Sequence, residues 1–256
     1  LRYLASRMAG PQHWTLLEQD PALLAVLPER LQRWASGLGL TCAPLEPPPD
    51  AGPPGAGAGG LSITGPSRSI EVRWQAVDLA ASLAPVRAAR PHLITASALL
   101  DLVSADWLGG LCRLSAEQGA ALLAVLSYDG RMFWTPPDAR DVEVQALFNR
   151  HQTTDKGFGP ALGPGATLEA QRQLTALGYR VYRAPSDWVL DQHYAPLQTE
   201  LLHGCHAAAV ELAPGRSEAL SGWLEHRLQQ TKPPLASGRV GHEDLLALPP
   251  GVFSLR

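Results

Sequence analysis

The chain has 256 residues, 45% of them hydrophobic and 18% charged, with 21 Lys and Arg set against 24 Asp and Glu for a formal net charge of -3. That composition is ordinary for a folded chain of one large domain. It excludes a general nucleic-acid or membrane-surface binder, because phosphate binding needs clustered Lys and Arg and no such run is present. Cys42, Cys112 and Cys205 are odd in number and form no CxxC. A disulfide framework and a structural zinc site are therefore not expected, and a reducing cytoplasmic location is. No apolar run approaches the ~18 residues of a membrane span.

Residues 1–9 read as a short helix stopped by Gly10-Pro11, and His13–Leu17 as a strand running out at Glu18-Gln19-Asp20. Pro21 sits where a helix starts, and 22–38 is amphipathic through Leu23, Leu24, Leu27, Leu31 and Trp34. The Pro- and Gly-dominated stretch 44–69 reads as a loop. Strands follow at Val72–Val77, ending at Asp78-Leu79, and at Leu93–Ala96, after which 97–108 turns helical. Ser115–Gly119 belongs to the next helix, and Ala120–Ser127 is a buried strand leaving at Tyr128-Asp129-Gly130.

Beyond it, 141–150 reads as helix and 151–165 as loop, then Thr167–Leu177 as helix and Tyr179–Ala184 as strand. A helix over 193–203, a last strand at His206–Leu212 and a helix over 216–231 complete the reading, with 232–256 an irregular tail. Strands separated by helices imply right-handed crossovers. The expected architecture is α/β: a Rossmann-like, mainly parallel sheet flanked by helices, with an antiparallel pair at its C-terminal edge. The domain is expected to span 1–231, with 44–69 as a flexible insertion.

In such sheets ligands bind outside the carboxyl ends of the strands. Two of the four strand ends, at Glu18 and Asp78, carry a carboxylate there. A carboxylate at that place can accept hydrogen bonds from both hydroxyls of a ribose, although an acid after a strand also serves as a helix cap, for which Asp20 before Pro21 is suited.

The order of an acid-ended strand, a second acid-ended strand and then TASALLDLVSADWL resembles the middle of a class I S-adenosylmethionine-dependent methyltransferase. The resemblance implies S-adenosylmethionine as cofactor and a small-molecule acceptor, since TASA stands where nucleic-acid amino-methylating enzymes carry a DPPY-like tetrad. It implies that Glu18, with Gln19, holds the ribose, that Asp78 and Leu79 flank the adenine, and that Ala96, Ser97 and Leu100 line the cofactor near the methyl group. His151, Asp129 and Tyr128 are the candidate general bases, and the stretch 149–165 the candidate substrate cover.

The family's glycine loop is absent, and LRYLASRM resembles the helix that follows it. The expectation is of about 30 or more further residues upstream, the size of a strand–loop unit. A gap between Trp14–Leu17 and Leu93–Ala96, and weak cofactor binding by the chain as given, are expected with it. No metal is expected: His203 and His206 lack a third ligand. Ser127 lacks the G-x-S-x-G elbow of a serine hydrolase. The competing readings are an NAD(P)-dependent Rossmann oxidoreductase, for which no Tyr-x-x-x-Lys pair is found, and a non-catalytic binding protein with the same fold.

Overall fold

The computed structural model describes residues 1–46, 57–231 and 237–251, and the chain divides into two compact units, Leu1–Ala89 and Arg90–Arg256. The first unit contains α1 (Arg2–Ala5), β1 (Gln12–Glu18), α2 (Pro21–Ser36), β2 (Thr41–Pro44), β3 (Gly59–Gly65), β4 (Arg68–Ala76) and α3 (Ala84–Ala88). Its sheet runs β1-β4-β3-β2, parallel between β1 and β4 and antiparallel elsewhere.

Helix α2 begins where the side chain of Asp20 accepts a hydrogen bond from the Ala22 amide at 2.8 Å, with Pro21 opening the first turn. Its buried residues Leu24, Leu31 and Ala35 recur at helical spacing and pack with Leu61, Ile63, Ile70, Val72 and Trp74 of β3 and β4.

The second unit contains β5 (Leu93–Ser97), α4 (Ala105–Gln118), β6 (Ala121–Thr135), α5 (Asp141–Gln152), α6 (Ala166–Ala176), β7 (Arg180–Pro185), β8 (Trp188–Leu190), α7 (Ala195–Leu212), α8 (Ser217–Gln230) and β9 (Ser237–Leu248). Its sheet runs β5-β6-β9-β7, with β8 also on β9. The β5–β6 pair is parallel, and every pairing of β9 is antiparallel. The expected α/β class is therefore observed.

Several elements differ from expectation. His206–Leu212 is not a strand but the end of α7, where Leu202, Cys205 and Ala209 are buried at helical spacing. The antiparallel partner of β7 is β9, inside the segment read as a tail. The stretch 44–69 is not all loop, since β2 and β3 form a hairpin, and in place of one mainly parallel sheet there are two mixed sheets in which, among the described residues, only β1–β4 and β5–β6 are parallel. Gly59 is required there by packing rather than by looseness, because a Cβ on it would lie 2.5 Å from the Trp74 ring. Residues 47–56 of that stretch lie outside the described residues. Helix α1 stops at Ala5, and the helical stretch expected over 97–108 is a 3-10 turn, Leu100–Leu102, followed by α4 capped by Ser104. Among the described residues β1 pairs only with β4, and β5 only with β6.

Candidate functional site

The parallel register of the first unit sets Glu18 opposite Ala76, two residues before Asp78. Both acids thus end neighbouring strands at the same carboxyl edge. Oε1 of Glu18 accepts from the amides of Gln19 at 2.8 Å and Asp20 at 3.0 Å, and Oδ1 of Asp78 accepts from the Ala80 amide at 2.9 Å. Each carboxylate so tightens its own turn with one oxygen. The other oxygen of each has no hydrogen bond among the described residues. Gln19 is exposed and Leu79 half-buried.

In the second unit, β5 ends with half-buried Ala96 and exposed Ser97. The chain then reverses through Ala98, whose amide donates to the Val125 carbonyl at 2.9 Å. The turn drops Leu100 and Val103 into the core, both 0% exposed, and takes Asp101 with them at 7%. The Asp101 carboxylate accepts the backbone N–H groups of Tyr128 and of its own residue. Burial pushes its pKa above the ordinary value, and Oδ1 has no hydrogen-bond partner among the described residues.

Strand β6 is irregular opposite this turn. Its register with β9 shifts between Ala124 and Ser127, and the amide of Leu126 donates to Oδ1 of Asp244 at 2.9 Å. The irregularity brings two successive side chains, Ser127 and Tyr128, inside. The Ser127 hydroxyl has no partner among the described residues. The Tyr128 hydroxyl donates to Asn149 Oδ1 at 2.7 Å, and the Asn149 amide donates to the Gly130 carbonyl at 2.9 Å. Across from Tyr128 in register stands His242, 7% exposed, with its ring between those of Tyr128 (centroids 6.3 Å apart) and Trp188 (4.9 Å).

The three expected bases fare differently here. Burial drives the Tyr128 phenol far above its ordinary pKa and its proton is already donated to Asn149, the opposite of what a base requires. Asp129 is held by Arg131, whose amide donates at 2.9 Å and whose Nε donates at 2.8 Å, and Arg131 also reaches Asp187 at 3.0 Å. Both oxygens of Asp129 are thus occupied by Arg131. His151 has both ring nitrogens engaged, Nε2 with Glu211 at 3.1 Å and Nδ1 with Lys156 Nζ at 3.2 Å.

The 151–165 segment packs on the start of α4. Phe158 meets Trp107 edge-on at 5.2 Å, the Leu162 amide donates to the Val103 carbonyl, and Asp155 accepts from the amides of Gly157 and Gly159.

The sequence reading missed Asp101, Asn149 and His242 as members of a single cluster. Asp101 stood within the quoted TASALLDLVSADWL, and an acid inside an otherwise apolar turn was its one signal. His242 had none, because its strand was not recognised. Among the described residues no group of metal-binding side chains is found, and no helix is long and apolar enough to cross a membrane.

No protein-family profile matches the chain, and no curated protein does. Among solved structures, the chain is similar to the cyclopropane synthase MmaA2 from Mycobacterium tuberculosis at 13% identity and a TM-score of 0.35, covering 96% of this chain and 82% of that one. It is similar to Haemonchus contortus phospholethanolamine N-methyltransferase 2, in complex with phosphomonomethylethanolamine and S-adenosylhomocysteine, at 9% identity and a TM-score of 0.30. There it covers 97% of this chain and spans 52% of the other. Likenesses this distant carry no argument about activity.

Proposed function

We propose that this chain belongs to an S-adenosylmethionine-dependent methyltransferase acting on a small molecule. The observation that supports the reading is the pattern of strand pairing. The two acid-ended strands, β1 and β4, are parallel neighbours, and the late strand β9 runs antiparallel between β6 and β7. A methyltransferase of this class implies both features.

The acids fit a ribose. Glu18 keeps one oxygen for its turn and has the other to accept from ribose hydroxyls. Asp78 and Leu79 are proposed to flank the adenine, and Ala96, Ser97 and Leu100 to line the cofactor near the methyl group. S-adenosylmethionine, when bound, supplies a methyl group already activated by its positive sulfur. The chain is left to orient the acceptor and exclude water. The 151–165 segment, with its Phe158–Trp107 contact, is the proposed cover.

The test is calorimetry of S-adenosylmethionine binding, made on the product of the full reading frame. Glu18→Ala should weaken binding by roughly 1.5–3 kcal/mol, the range for hydrogen bonds to a charged group. Unchanged affinity would remove Glu18 from the ribose, and binding of a nicotinamide dinucleotide instead would replace the reading altogether.

A further inference from the structure

Resting on the methyl-transfer reading, we propose that His242 is the group that takes the proton from a hydroxyl or amine acceptor. The argument begins with the tautomer. His242 Nδ1 lies 3.1 Å from the Val240 carbonyl oxygen. A carbonyl can only accept, so Nδ1 carries the hydrogen and the lone pair of the neutral ring is on Nε2. Nε2 makes no hydrogen bond among the described residues. The backbone of β9 thus sets the ring in the form a base requires, and the rings of Tyr128 and Trp188 hold it in place. His151, by contrast, spends both nitrogens on Glu211 and Lys156.

Asp101 lies buried nearby, on the turn that packs against β6, with Oδ1 unpartnered among the described residues. The charged groups around His242 are already committed. Asp187 accepts the His242 backbone amide at 3.3 Å and binds Arg131, Glu243 is paired with Arg183, and Asp244 accepts the Leu126 amide. Tyr128 stays neutral. The Ser127 hydroxyl, buried and unpartnered in the same cluster, is a further polar group for the acceptor. In the step, the acceptor's oxygen or nitrogen bonds the methyl carbon as the carbon–sulfur electron pair returns to sulfur, and His242 Nε2 takes the acceptor's proton.

The first test needs no acceptor. Nitrogen-15 NMR of the histidine rings in the intact chain, with His242→Gln to assign the signal, should find the Nδ1–H tautomer at His242. An Nε2–H tautomer overturns the proposal.

The second test offers S-adenosylmethionine with a panel of simple phenols, primary amines and hydroxy acids. His242→Gln should lower kcat roughly 100-fold, the low end for loss of a general base, and leave KM for S-adenosylmethionine within about threefold. An unchanged kcat, or no methylation of any hydroxyl or amine compound, overturns the proposal. Calorimetry on the same protein decides the underlying reading separately. Failure to bind S-adenosylmethionine would end the proton-transfer role even with the tautomer as expected.

Discussion

The two units handle their acidic side chains in opposite ways. In the first, Glu18 and Asp78 sit at strand ends and bond amides one or two residues away. In the second, Asp101 is buried with one oxygen unpartnered among the described residues, and Asp141 is drawn inside and answered by groups far along the chain. Asp141 accepts from Trp223 Nε1 at 2.9 Å and from Arg227, which is 2% exposed and donates through Nε at 3.0 Å. Arg227 also donates to the Pro136 carbonyl at 2.6 Å. The first unit keeps its charge at the surface over an apolar core, whereas the second builds charge into its core. Surface acids remain open to a ligand at little cost in stability. Buried ones are costly unless every partner is in place, and they fix geometry when it is.

The comparison can be broken at its strongest point. Arg227→Ala leaves the Asp141 carboxylate buried without its cation and should cost the second unit about 3–5 kcal/mol, read by urea denaturation. A loss under about 1 kcal/mol would mean the buried pair does not hold the unit together. The matching cut in the first unit is apolar. Ile63 is 0% exposed, so Ile63→Ala should cost about 2–5 kcal/mol. Hydrogen exchange should show the loss in β1, β3 and β4 while the amides of β5 and β6 stay protected. Equal loss of protection in both units would show that they unfold as one.

A finer test separates crowding from charge. A Cβ on Gly241 would fall 2.1 Å from Asp129 Oδ1, which Arg131 holds in place. Gly241→Ala should therefore cost about 1–3 kcal/mol, the usual range for overpacking. Gly204 in α7 has nothing within 4 Å of an added Cβ, so Gly204→Ala should leave stability unchanged or raise it by up to about 1 kcal/mol.

The smallest effect is electrostatic and near the surface. Hydrogen bonds from Arg172, and then Gln173, hold the Glu169 carboxyl at about 2, below its ordinary 4.5. Its folded pKa is depressed, so its stabilisation is present above about 4.5 and fades as the pH falls toward 2. Because Arg172 is 67% exposed, solvent screens the pair and the change is small. Thermal melts of Glu169→Gln should lose less stability than the parent over that acid window. An identical acid profile would remove the pair from the account.

The amino-acid sequence by itself determined the features that act over a few residues. Asp20-Pro21 announces the start of α2, the periodic leucines its buried face, and the acids after apolar runs the ends of β1 and β4. Each depends on a cap, a period or a turn whose partners lie within a helical turn or two. Only the tertiary structure decided the rest. The apolar run His206–Leu212 is compatible with strand or helix, and it became helix because Leu202, Cys205 and Ala209 find one core with Leu220 and Trp223 of α8.

Strand β9 was illegible because Gly241 and the acidic pair Glu243-Asp244 interrupt its alternation. It exists as a strand because β6, β7 and β8 satisfy its backbone. With it came the cluster of Asp101, Ser127, Tyr128 and His242. Its members lie up to 141 positions apart and meet only after two sheet pairings and one irregular register have formed. No local pattern encodes such a meeting, because the contacts that reward it are made across the sheet rather than along the chain.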